Sequence, residues 1–128
     1  SNSETGYALL MSLNLAQQAI ERKDLTEASK QLGFVAASAQ NTSIQAIANL
    51  RLARVKLDQG QHEEALATLD NISDEAFTAH LQETKGDIFF AQQLFDKARA
   101  AYSAALQENA NNNVLKMKLD DLASVANG

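Results

Sequence analysis

The chain of 128 residues has a formal charge of −5 and a pI near 4.9, and no stretch gathers Lys and Arg onto one face, which excludes a nucleic-acid binder. With no Cys it has neither disulfides nor thiolate metal sites, and no apolar run approaches the roughly 18 residues a membrane span needs. It is 45% hydrophobic, only 5% aromatic and entirely without Pro, and its many Ala, Leu and Gln lose little rotamer freedom in a helix, so an all-α fold is expected.

In chain order, Ser1-Asn2-Ser3 opens without a Met, and residues 1–5 read as a tag scar or linker from which targeting information has been removed. One repeat domain is expected over 6–126: helical hairpins at about 7–39, 43–72 and 74–108, then a capping helix at about 112–126. The evidence is a phrase that recurs three times: "LAQQAIERKDLTEASKQL" (Leu15–Leu32), "LARVKLDQGQHEEALATL" (Leu52–Leu69) and "KGDIFFAQQLFDKARAAY" (Lys85–Tyr102). Laid over one another, the windows share a small residue in second place (Ala16, Ala53, Gly86). They share an alanine twelve residues on (Ala28, Ala65, Ala98) and a large residue after that (Leu32, Leu69, Tyr102). Small residues let two antiparallel helices approach closely, and the large residue fills the groove between them. The turns are expected at Lys23-Asp24, Gly60-Gln61 and Gln93-Leu94.

In the middle hairpin, Ala65, Leu66, Leu69 and Ile72 form an apolar stripe with Glu63, Glu64, Thr68 and Asp70 facing away, as in an outer helix. The preceding helix is apolar on two sides, Ile47, Leu50 and Leu57 on one and Ala48, Leu52 and Val55 on another, and so has neighbours on both. Thr42 and Gln45 have capping-box spacing, and Ser73-Asp74 offers N-caps for the third hairpin. Asn109–Asn113 reads as a loop. In the last segment Leu115, Leu119, Leu122 and Ala126 share one face, with Lys116, Asp120 and Asp121 off it, which reads as a terminal cap. The expected architecture is a right-handed solenoid of three hairpins plus that cap.

Gly86, Phe89, Ala98, Tyr102 and Ala105 stand at signature positions of a 34-residue unit that resembles the tetratricopeptide repeat. Ala53, Gly60, Ala65 and Leu69 match in the middle unit, and Ala16, Ala28 and Leu32 in the first. The usual Trp is absent and Ala110 replaces the closing Pro. More specifically, "LNLAQQ", "NLRLARVKLDQ" (Asn49–Gln59), "ALATLD", the third window and "MKLDDL" are similar to the YfgM family, ancillary subunits of the bacterial Sec translocon. That resemblance implies an inner-membrane protein whose membrane anchor lies upstream of this segment and whose repeat domain faces the periplasm. It further implies that the domain contacts translocon subunits and a membrane-anchored periplasmic chaperone of the prolyl-isomerase class.

No catalytic or cofactor motif is expected. His62-Glu63 opens like the zinc-protease motif, but Leu66 stands where its second His belongs, and His80 has no ligand-spaced neighbours. Asn41-Thr42-Ser43 and Asn71-Ile72-Ser73 match the glycosylation pattern, with helix capping as the competing reading. The concave face, which inner helices line in such solenoids, should carry Leu10, Leu13, Gln17 and Ile20, then Ile47, Leu50, Arg54 and Leu57, then Glu83, Asp87 and Phe90. Core packing is the competing reading for the apolar ones; if exposed, they make a groove apolar at one end and acidic at the other. A clamp for a carboxylate terminus is not expected, because its places hold Leu13, Gln17, Arg51, His80 and Thr84, of which one is firmly cationic. Tyr7, Leu9, Leu10, Met11 and Leu13 are apolar on more than one side of the first helix, so residues upstream are expected to cover them, and without that cover the domain is expected either to self-associate through this edge or to leave an unusually large apolar patch exposed. The alternative function is a generic periplasmic scaffold or holdase that takes unfolded segments into the concave groove.

Overall fold

A computed structural model describes residues 2–127, with side chains over 6–125, and shows seven α-helices and no strand among them. They are α1 (Asn2–Glu21), α2 (Leu25–Ser38), α3 (Thr42–Asp58), α4 (His62–Leu69), α5 (Thr78–Ala91), α6 (Phe95–Glu108) and α7 (Asn113–Asn127), with a 3-10 turn at Glu75–Phe77 ahead of α5. α1 starts at Asn2, so 2–5, set aside as a linker, have helical backbone, while Ser1 and the side chain of Ala126 lie outside the described residues. The chain forms two compact units, one ending at Asp74 and one beginning at Glu75.

In the first unit α1 packs on α2, α2 on α3 and α3 on α4. Ala16, Ala19, Ala28, Leu32, Leu52 and Val55 form one buried cluster, and Leu9, Val35, Ala39 and Ala48 another. In the second unit α5 packs on α6 and α6 on α7, around Ala98, Tyr102, Ala105, Leu115 and Leu122. Each fully buried Leu contributes about 1.5–3 kcal/mol of transfer free energy.

One turn closes all three hairpins. Lys23 and Gln93 have φ 63° and Gly60 has φ 78°, the left-handed conformation that ends a helix. The next residue's N–H reaches back five residues: Asp24 to Ala19 O (2.8 Å), Gln61 to Lys56 O (2.8 Å) and Leu94 to Phe89 O (2.9 Å). The turn residue's own N–H bonds the carbonyl three residues before it. These are Schellman motifs, and they stand 37 and 33 residues apart, as the alanines Ala28, Ala65 and Ala98 do. Only one of the following helices has a side-chain cap, from Asp24 to Glu27 N at 3.2 Å; Gln61 and Leu94 provide none.

Several local expectations shift. The N-cap of α3 is Asn41, not Thr42: its Oδ1 accepts from Ser43 N (2.9 Å) and Ile44 N (3.1 Å). Gln45 donates instead to the Ala39 carbonyl. The Thr42 and Ser43 hydroxyls donate to Asp74 at 3.1 and 3.0 Å, and α5 takes Phe77 as its N-cap without a side-chain bond. Thr68 does not face away; it is buried, and its hydroxyl donates to Glu64 O at 2.8 Å, so a helical back-bond satisfies it without solvent. α4 stops at Leu69 and tightens into i→i−3 bonds through Ile72, because Asn71, Ser73 and Asp74 compete locally with the helix.

Candidate protein-binding faces

In the first unit, α1 turns Leu9, Ser12, Ala16 and Ala19 inward at helical spacing. Of the four concave-face residues on it, Leu10 and Gln17 are exposed, whereas Leu13 and Ile20 are half-buried against the core. On α3, Arg54 is exposed, while Ile47, Leu50 and Leu57 are half-buried beside it. The competing reading therefore divides the set: the half-buried aliphatics serve the core with one edge showing, and Leu10, Gln17 and Arg54 are the groups a partner can reach.

The second unit changes the picture most. Glu83 and Asp87, expected as a free acidic end, are tied to Lys118 of α7. Lys118 Nζ donates to Glu83 Oε2 at 2.7 Å and to Asp87 Oδ1 at 3.0 Å, and sits 5.7 Å from the centroid of the Tyr102 ring. Tyr102 in turn donates its hydroxyl to Asp87 Oδ1 at 2.6 Å. The two carboxylates, one turn apart on α5, thus fasten the cap helix to its hairpin. Sequence reading missed Lys118; the signal available was a lysine adjoining the apolar face of Leu115, Leu119 and Leu122, with an acidic pair at i, i+4 to receive it. Beside this cluster Asp87, Phe90, Tyr102, Lys118 and Asp121 line a shallow cavity of about 240 Å³, and Phe90 is 38% exposed.

The N-terminal edge divides as well. Leu9 is buried and Leu13 half-buried by the unit's own helices, but Tyr7 is 67%, Leu10 66% and Met11 42% exposed, joined by Leu15. Tyr7, Met11 and Leu15 follow at i, i+4 and i+8, one exposed stripe on the side of α1 turned away from its core. No charged residue occurs between Gly6 and Ile20.

His80 is exposed with its ring 6.1 Å from that of Phe77, and no group of three or more His, Cys, Asp or Glu able to hold a metal occurs among the described residues. Of the carboxylate-clamp places, Thr84 is buried with its hydroxyl donated to His80 O at 2.8 Å, which leaves it unable to meet a ligand. No described helix is long and apolar enough to cross a membrane.

Compared with known proteins, residues 1–124 match the tetratricopeptide repeat-like domain. The chain is 31% identical over 126 residues to the ancillary SecYEG translocon subunit of Escherichia coli K12, covering 96% of this chain and 61% of the relative. The Haemophilus influenzae protein of the same name is 33% identical over 129 residues (95% and 61%), and that of Neisseria gonorrhoeae 37% over 106 residues (80% and 50%). The chain therefore spans half to about three-fifths of the length of these curated relatives. The resemblance drawn from the sequence is the one these relatives carry. With helical hairpins closed by a single recurring turn and a match over nearly its whole length, the chain belongs to the tetratricopeptide repeat-like domain family.

Proposed function

We propose that this domain is the non-catalytic protein-interaction module of a translocon-associated inner-membrane protein, held on the periplasmic side, where it contacts translocon subunits and links them to a membrane-anchored chaperone. The observation that carries this reading is the pairing of a hairpin scaffold with relatives named ancillary SecYEG translocon subunits. Glu83, Asp87 and Lys118 of the second unit are spent on fastening helices, which supports a scaffold role for that cluster.

The partner-facing residues are, in the first unit, Leu10, Leu13, Gln17 and Ile20 on α1 with Ile47, Leu50, Arg54 and Leu57 on α3, and, in the second unit taken by itself, Phe90 on α5, whose neighbours Glu83 and Asp87 are taken up by Lys118. Leu10, Gln17, Arg54 and Phe90 make the direct contacts, being the exposed members. Mixed apolar and cationic exposure of this kind suits an amphipathic helix. The uncharged stripe of Tyr7, Met11 and Leu15 is a second contact face, through which the isolated domain self-associates. A photocrosslinker at Gln17 or Arg54 of the intact protein in its bacterial membrane tests the main reading. Adducts with translocon subunits and a periplasmic chaperone are expected. A broad smear of unfolded clients, with no discrete translocon adduct, would favour the holdase instead.

A further inference from the structure

The third hairpin departs in charge from the other two at places where they agree. Laid in register, its Lys97 stands where the first two carry Glu27 and Glu64, and its Lys85 where they carry Leu15 and Leu52. In the second hairpin Glu64 accepts from Lys56 Nζ at 3.2 Å, an ion pair that joins α3 to α4. The same two places in the third hairpin hold Phe89 and Lys97, and the ion pair is replaced by an ammonium 5.8 Å from a ring centroid. A ring face attracts a cation without neutralising it.

These replacements make a cationic groove within the second unit. Gln82, Lys85 and Phe89 follow at i, i+3 and i+7 on α5, and with Lys97, Ala100 and Ala101 of α6 they line a cavity of about 240 Å³. No Asp or Glu lines it, although the chain as a whole carries −5. Neither ammonium has a carboxylate partner among the described residues, whereas Arg99 is paired with Asp96, and Lys118 with Glu83 and Asp87. Lys85 and Phe89 are both half-buried, so the charge sits beside an apolar floor.

We infer that this groove binds an acidic segment of a protein partner, with two carboxylates meeting Lys85 and Lys97 and an apolar side chain between them resting on Phe89 and Ala100. Charge complementarity selects the carboxylates, and the ring selects the apolar group. The volume lies below the roughly 300–1,000 Å³ of small-molecule pockets, which suits side chains of a protein rather than a whole small ligand. A membrane surface fits less well, because lipid-binding patches gather roughly 4–8 basic residues, and two line this groove. The site lies on another side of α5 from Glu83, Asp87 and Phe90 and does not rest on the translocon role.

The test titrates the isotope-labelled 128-residue chain with acetyl-Glu-Ser-Leu-Ser-Glu-amide, whose carboxylates and leucine share one side when extended, and follows amide resonances by NMR. Expected are shifts at Lys85, Phe89, Lys97 and Ala100, with an affinity of roughly millimolar order that weakens as added salt screens the charges. A control peptide with Gln in place of both Glu should bind about fivefold more weakly. Lys97→Glu, which restores the side chain of the other two hairpins, should weaken binding of the acidic peptide at least as much, with circular dichroism unchanged. No shifts at millimolar peptide, equal affinity for the two peptides, or undiminished binding by Lys97→Glu would each overturn the inference. Binding to phosphatidylglycerol vesicles that Lys97→Glu abolishes, without peptide shifts, would assign the groove to a membrane and overturn it as well.

Discussion

Gly86→Ala should destabilise the second unit, and the internal repeats show why. At the equivalent places of the first two hairpins the small residue is alanine and the large one leucine, Ala16 with Leu32 and Ala53 with Leu69; in the third the pair is Gly86 with Tyr102. A Cβ on Gly86 would lie 2.5 Å from Cδ1 and 3.0 Å from Cζ of Tyr102, so the ring has to move. It cannot slide freely, because its hydroxyl is bonded to Asp87 at 2.6 Å and its face carries Lys118. Overpacking of this kind destabilises by about 1–3 kcal/mol, and losing a hydrogen bond to a charged acceptor adds about 1.5–3 kcal/mol. Better helix propensity returns about 1 kcal/mol. The net is about 1.5–5 kcal/mol, read as a fall in Tm of roughly 3–5 °C per kcal/mol for a chain of this size. Two comparisons isolate the cause. Gly33→Ala, where a Cβ meets nothing, should instead stabilise by about 0.5–1 kcal/mol. In a Tyr102→Leu background, which recreates the Ala–Leu pair of the other hairpins, Gly86→Ala should become neutral or mildly stabilising. If Gly86→Ala has the same effect with the native Tyr102 as in the Tyr102→Leu background, the close approach is not what requires glycine there and the reasoning fails.

Three further outcomes follow from the same geometry. Leu94 has the backbone conformation of the capping Asp24 (φ −91°, ψ 73° against φ −90°, ψ 80°), so Leu94→Asp should cap α6 through Lys97 N and stabilise by about 0.5–1 kcal/mol in thermal melts; a lower Tm would show that the leucine's packing outweighs the cap. Lys118→Met leaves two part-buried carboxylates facing each other and should destabilise by about 2 kcal/mol, seen as early loss of α7 protection in hydrogen exchange; unchanged exchange would deny the ion cluster its fastening role. Met11→Glu at the centre of the uncharged stripe should shift the domain toward monomer in sedimentation velocity, and identical profiles for variant and wild type would place self-association elsewhere or exclude it.

The helices and their pairing were legible because small residues, large residues and turns recur in strict register, and that register is a packing requirement. Lys23 and Gln93 were found as turns from the register alone, although neither is the glycine a left-handed residue usually requires. What escaped was everything fixed by one long side chain crossing between helices: a lysine's reach to a pair of carboxylates depends on the docking of α7, which no local pattern encodes. Thr68 and the Thr42 cap failed for a related reason, since hydroxyls bond backward to a carbonyl or across to Asp74 as easily as forward to an N–H. Of the concave-face residues, periodicity put Leu13 and Ile20 on one side of α1, but it could not divide core from surface, and the structure leaves both half-buried against the core. That boundary is set by how deeply α2 and α3 sit against it.

Co-purification of SecYEG with the intact, membrane-extracted protein tests the central claim most directly, comparing wild type, a Leu10→Glu/Arg54→Glu variant and a Lys30→Glu control at an exposed site on α2. The account predicts translocon recovery that is preserved in the control and reduced about tenfold or more when the face is reversed. Equal recovery from all three proteins, each shown to be folded, would contradict it.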